Sequence, residues 1–197
     1  IVLGDVTINI IEPLYGPNGE KTFIADGATS FNYVDRLGNN VEDLATSYIF
    51  GSGGKDIFEI SSDNGFIIDG DPGTFIDDIV SFRNSVSGVS FDLNDYNQLG
   101  KFLEIVGSDG GDDNIIGSNI LSNATSLHGL GGDDRLTSLN AEDKLYGGDG
   151  NDTYNVSSEK NSIIESEDGG YDKIVSSTNN YSMEFKDNIE ELMFDLN

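Results

Sequence analysis

The stretch "GGDGNDTYN" (147–155) decides the fold. Its three glycines and its Asn-Asp pair are turn chemistry: glycine reaches φ values that side chains resist, and Asn or Asp bond to their own backbone. The closing Thr-Tyr-Asn is strand chemistry, an aromatic held between two polar residues. Six residues of turn and three of strand cannot form a stable unit alone, so the stretch acquires meaning only by recurring.

It recurs every nine residues. With Asp152 as position six and Tyr154 as position eight, "SLNAEDKLY" (138–146) places Asp143 and Leu145 there, and "GLGGDDRLT" (129–137) places Asp134 and Leu136. Further upstream "ILSNATSLH" (120–128) supplies Thr125 and Leu127, and downstream "VSSEKNSII" (156–164) supplies Asn161 and Ile163. Two units join after short insertions: "SDGGDDNII" (108–116) with Asp113 and Ile115, and "EDGGYDKIV" (167–175) with Asp172 and Ile174. Chance does not hold an apolar position eight in register through seven units.

Composition narrows the chemistry. Among 197 residues, 36 are acidic and 10 basic, a net charge of −26, so the carboxylates repel one another in any compact state and call for cations. Scattered Lys and Arg argue against nucleic-acid binding, and no apolar run is long enough for a membrane span. There is no cysteine and a single histidine, His128, which excludes thiolate and multi-histidine metal sites and leaves no Ser-His-Asp arrangement to argue for. Oxygen ligands remain, and carboxylates with backbone carbonyls suit a hard cation such as Ca²⁺. The chain opens "IVLGDVTINI", without Met or a basic leader, and reads as a module of a larger protein.

The repeat resembles the glycine-rich RTX (repeats-in-toxin) family, whose nonapeptide G-G-x-G-x-D-x-U-x builds a parallel β-roll. The resemblance is strong over about 107–175, and 147–155 meets the whole consensus. It implies an all-β fold, a parallel β-roll with an N-terminal β-rich capping part. Successive turns of such a roll fall on alternate edges, so the loops ending at Asp113, Asp134, Asp152 and Asp172 share one edge. The glycine-free loops ending at Thr125, Asp143 and Asn161 share the other. An ion wedged between neighbouring loops, as the resemblance implies, gives three Ca²⁺ sites on the glycine edge: 113/134, 134/152 and 152/172. Their expected ligands are these aspartates with backbone carbonyls at Gly111, Gly129, Gly132, Gly147 and Gly150. Asp112, Asp133 and Asp149, outside position six, are weaker candidates.

The rest of the chain departs from strict period. The expected organisation is a β-rich cap over 1–50, an irregular repeat-like segment with an acidic loop over 51–106, the roll over 107–178 and a C-terminal cap over 179–197. "GSGGKDIFE" (51–59) repeats the motif once, with Asp56 at position six. "DNGFIIDGDPGTFIDD" (63–78) gathers Asp63, Asp69, Asp71, Asp77 and Asp78 without register. Asp56, Asp69, Asp71 and Asp78 are candidate metal ligands, and Asp63, Asp69, Asp71 and Tyr96 candidates for a ligand site. "DVTINIIE" and "EKTFIADG" read as strands joined hairpin-fashion through "YGPNGE", and "VEDLATSYI" as a short helix.

The resemblance further implies function. The chain looks similar to peptide-binding domains of large bacterial RTX adhesins, in which bound calcium helps capture a carboxylate of a target protein. The expected partner is a host or cell-surface protein or peptide, with a glycan as the alternative. The module is expected to be monomeric, non-enzymatic, extracellular and exported by type I secretion. Two alternatives stay open: an accessory calcium-folding module of a secreted polysaccharide epimerase or protease, and a structural spacer.

Overall fold

The structure is a computed structural model. It describes residues 78–197 apart from 86, 97–101, 120–122, 184–186 and 197, and ahead of them the backbone of eight short strands. Those strands are β1 (Val2–Leu3), β2 (Asn9–Ile10), β3 (Lys21–Ala25), β4 (Asn32–Val34), β5 (Asn40–Val41), β6 (Ser47–Phe50), β7 (Asp56–Ile60) and β8 (Phe66–Asp69). The chain continues through β9 (Asp78–Ser81), β10 (Ser90–Asp92), a single 3₁₀ turn (Leu93–Tyr96) and β11 (Phe102–Val106). The repeat proper supplies β12 (Asn114–Ile116), β13 (Ser126–Gly131), β14 (Arg135–Thr137), β15 (Lys144–Asp149), β16 (Thr153–Val156), β17 (Ser162–Ile164) and β18 (Lys173–Ser176), followed by β19 (Glu191–Phe194).

From β9 to β18 the chain alternates between two parallel sheets, one ordered β1-β3-β7-β9-β11-β13-β15-β17 and the other β10-β12-β14-β16-β18-β19. This is an all-β parallel solenoid, compatible with a β-roll. Each strand pairs with the strand two units away, so Leu127 lies beside Leu145 and Leu145 beside Ile163, while Ile115, Leu136, Tyr154 and Ile174 follow one another across the opposing sheet.

Position eight therefore makes the core. Ile115, Leu127, Leu136, Leu145, Tyr154 and Ile174 are all fully buried, joined by Val80 and Ile105 at the start of the roll. Side chains alternate across a strand, so the residues on either side of each core residue point outward, which is why three residues of strand per turn suffice. Burying one such chain is worth about 1.5–3 kcal/mol, and only the stack sums this to a stable structure. Phe82 and Phe91, tilted 55° with centroids 5.2 Å apart, fill the first turns. Ile163, Met183, Ile189 and Leu192 pack against the core at its far end.

Two expectations fail in the N-terminal part. β2, within "DVTINIIE", pairs in parallel with β4, Asn9 with Asn32 and Ile10 with Tyr33, whereas β3, within "EKTFIADG", lies in another sheet beside β1, so the two stretches are not the arms of a hairpin. β3 joins the same sheet as β7 and β9, also in parallel. Parallel neighbours need a long crossover, which a tight turn such as the one expected at "YGPNGE" could not supply. Ser47–Phe50, which takes in the last three residues of the helix expected over 41–49, is a strand paired in parallel with Phe66–Asp69. Its run Tyr-Ile-Phe is β-former chemistry, and pairing with another apolar strand outweighs weak local helix propensity.

Candidate metal centre

The repeat brings the position-six residues of one edge into a vertical file. The backbone N–H of each donates to the carboxylate of the next: Val89 to Asp113 Oδ1 (2.7 Å), Asp113 to Asp134 Oδ1 (2.7 Å), Asp134 to Asp152 Oδ1 (2.7 Å) and Asp152 to Asp172 Oδ1 (2.7 Å). Asp172 in turn donates to Glu190 Oε2 at 2.6 Å. All four aspartates are at most 2% exposed. One oxygen of each is thus spent on holding the stack together.

The second oxygens distinguish the edges. Asp134 Oδ2 and Asp152 Oδ2 are buried with no hydrogen-bond partner, as are Tyr154 Oη and Glu165 Oε1. On the opposite edge Asp143 is equally buried, yet Oδ1 accepts from Thr125 N (2.8 Å) and Thr125 Oγ1 (2.9 Å), and Oδ2 from Ser138 Oγ (3.0 Å) and Asn140 N (3.0 Å). Asn161 continues that network through Ser138 Oγ and the Asn140 carbonyl. The glycine-free edge is closed by protein donors. The glycine edge keeps buried anionic oxygens that protein donors do not satisfy, a costly arrangement unless a cation meets them. Asp113 departs from Asp134 and Asp152, because Ser108 donates to it from both its backbone N (2.7 Å) and its hydroxyl (3.0 Å).

Asp152, Glu165 and Asp172 form a group that could hold a metal ion, each offering an oxygen within 4.8 Å of the others. Burial raises the carboxyl pKa of Asp113, Asp134, Asp152, Glu165 and Asp172. Asp134 is pushed up to about 8, with Asp152 and Asp113 adding like-charge repulsion. Asp152 rises to about 6 and Glu165 to about 8, again by burial first and then by neighbouring carboxylates. Asp113 and Asp172 shift the same way for the same leading reason. Without a cation the edge holds protons to limit its charge; with one it would release them.

Glu165 and Glu190 are not marked by the nonapeptide, although both lie eighteen residues, one full turn, beyond a marked position. Glu165 follows Gly147 and Glu190 follows Asp172. Restarting the register at the insertion before 167 conceals the first, and the absence of glycine around 188–192 the second. Leu192 beside Ile174 makes 190–192 a further position six to eight.

The glycines expected to carry ligand carbonyls lie in these loops. Gly132 and Gly150 have φ of +115° and +131°, and a Cβ on Gly150 would strike the Gly132 carbonyl, so the loops stack backbone on backbone. A Cβ on Gly129 would strike Asp134 Oδ2, and one on Gly147 would strike Asp152 Oδ2. Gly111 packs its Cα side against the backbone of Gly88. Asp112 and Asp133 are exposed and accept from Asp133 N (2.9 Å) and Asn151 N (2.8 Å), an outer file of Asx bonds parallel to the buried one. Asp149 ends β15 and is exposed. Asp56, Asp69 and Asp78 occupy strand termini in β7, β8 and β9, and Tyr96 ends the 3₁₀ turn. Asp63, Asp71 and Asp77 lie outside the described residues. His128 stands on the outer face, stacked on Tyr146 with centroids 4.3 Å apart and 3.5 Å from Glu104.

Comparison with family models, with curated proteins and with solved structures returned no match for this chain.

Proposed function

We propose that the chain is a calcium-dependent ligand-binding module of a secreted or surface RTX adhesin, folding when Ca²⁺ fills the glycine edge. The observation that carries the calcium part is that, among the described residues, the unpartnered buried carboxylate oxygens all lie on that edge. Oxygen-only ligands and high negative charge favour Ca²⁺ over softer metals. Extracellular calcium at about 1 mM, against a site affinity of about 10⁻⁴ M, adds roughly 1.4 kcal/mol per site. Such a module emerges poorly folded from a low-calcium cytoplasm and folds outside the cell.

The adhesin part rests on the resemblance of the repeat and on the net charge of −26. A protein so acidic repels a carboxylate ligand unless a metal bridges them, so a protein or peptide C-terminus held through calcium is the partner we assign, with a glycan as the alternative. In this reading the chain is a monomeric, extracellular module without catalysis of its own. The test is a binding screen of peptides with free and with amidated C-termini, in calcium and in chelator. Binding only of the free carboxylate, and only with calcium, supports the reading. Calcium-dependent polysaccharide binding moves it to the accessory module of a secreted enzyme, and binding of neither moves it to a spacer.

A further inference from the structure

Along the sheet β11-β13-β15-β17, the residues directly after the paired core positions form their own file. Val106 lies beside His128, His128 beside Tyr146 and Tyr146 beside Ile164, so the next residues are Gly107, Gly129, Gly147 and Glu165. Three turns have no side chain at this position. The fourth has a carboxylate.

That carboxylate is aimed. Glu165 Oε2 accepts from Ser166 N at 3.1 Å and Gly148 N at 3.4 Å, leaving Oε1 buried and without a partner. A Cβ placed on Gly147 would collide at once with Glu165 Oε1, Asp152 Oδ2 and Tyr154 Oη, so these three oxygens converge on one spot. None has a hydrogen-bond partner, although Asp152 is 1% exposed and Tyr154 is fully buried. Asp172 brings another oxygen within 4.8 Å of those of Asp152 and Glu165. In the preceding turn the atoms nearest a Cβ on Gly129 come from one side chain, Asp134, and from the Gly147 carbonyl, where at Gly147 they come from three side chains.

We propose that Glu165 adds a third carboxylate to the 152/172 site of the last glycine-edge turn and makes it a site built from side chains, with ligands from Asp152, Glu165 and Asp172 and the Tyr154 hydroxyl facing the same ion. Three carboxylates and no thiol or imidazole specify a hard divalent cation, Ca²⁺ in particular. With one more carboxylate than any pair of loops supplies, it is the tightest site of the edge. It also spans the roll: Glu165 leaves β17 in one sheet, whereas Asp152 and Asp172 precede β16 and β18 in the other. The ion would pin the sheets together at the C-terminal end. The inference rests on the glycine edge being the cation-binding edge.

The experiment is calcium titration calorimetry, with terbium luminescence excited through tyrosine, on the wild-type chain and on Glu165→Gly, Glu165→Gln and Tyr154→Phe. Glu165→Gly restores the file of glycines and should lower the affinity of this site to that of the other glycine-edge turns, at least about tenfold. Glu165→Gln keeps the size of the side chain and should weaken the tightest site at least about tenfold. Tyr154→Phe keeps the ring in the core and should remove most of the sensitised terbium emission. Unchanged affinity in both Glu165 variants, with the wild type binding calcium, overturns the inference and leaves the proposed function standing. No calcium binding by the wild type overturns both.

Discussion

The backbone N–H of Asp134 donates to Asp152 Oδ1 at 2.7 Å, while Oδ2 of the same carboxylate, buried beside Gly147, accepts nothing. One oxygen builds the stack and the other is left for a cation. Asp143, on the opposite edge, gives both oxygens to protein donors. These two buried aspartates, alike in residue type and burial, set the two edges of the roll chemically apart.

Removing the charge should have opposite consequences with and without calcium. Asp152→Asn keeps an oxygen for the Asp134 N–H and removes an unpaired buried anion, so the calcium-free protein should melt no lower than wild type and its calcium-induced gain in Tm should shrink. Asp143→Ala strips Thr125, Ser138 and Asn140 of their acceptor and should cost about 1–3 kcal/mol whether or not calcium is present. Thermal melts of both variants in calcium and in chelator check the pair of signs.

The pH dependence of the calcium-free protein should be inverted. Asp134 and Glu165 rise to about 8 from ordinary values of 3.8 and 4.5, so between about pH 4 and pH 8 the folded state holds more protons than the unfolded one. Stability is then fully present below the ordinary values and is lost as pH rises through the folded ones. Chelated protein should melt higher at pH 5 than at pH 8. Calcium should reverse the order, because it binds the deprotonated carboxylates and displaces their protons.

Chelation and re-addition of calcium should move the whole fold. Two or three sites at about 1.4 kcal/mol each give about 3–4 kcal/mol, a large part of a small domain's stability. Circular dichroism should gain β-sheet signal when calcium is added to chelated protein. A spectrum unchanged by calcium contradicts calcium-coupled folding.

The core should be intolerant one turn at a time. Leu136 and Leu145 are fully buried in opposite sheets, and replacing either with Ala should cost about 2–5 kcal/mol, measurable by denaturant unfolding in saturating calcium. Ile164, 41% exposed next to the core position Ile163, should tolerate the same change within about 0.5 kcal/mol.

Most of the roll is legible in the sequence because its signal is periodic. Once Asp152 and Tyr154 are numbered, the inward residue of every strand from Ile115 to Ile174 is set, as is the assignment of alternate turns to opposite edges. The first residues of the chain are not legible in this way: "DVTINIIE" and "EKTFIADG" carry strand chemistry, but nothing in an isolated strand states whether its partner runs parallel or antiparallel. Within the site, the aspartates are visible by residue type and spacing. What spacing does not reveal is which of their oxygens are satisfied: Ser108 closes Asp113 through contacts set by the local path of the loop. Glu165 becomes legible only when the full-turn spacing of Gly129 and Gly147 is carried one step further.

The most direct measurement is a crystal structure of the protein grown with calcium, with the ions located by their anomalous scattering. The account predicts ions on the glycine edge, against Asp134, Asp152, Glu165 and Asp172, and none among Thr125, Asp143 and Asn161. Ions on the glycine-free edge, or a glycine edge bare of ions at millimolar calcium, would contradict it.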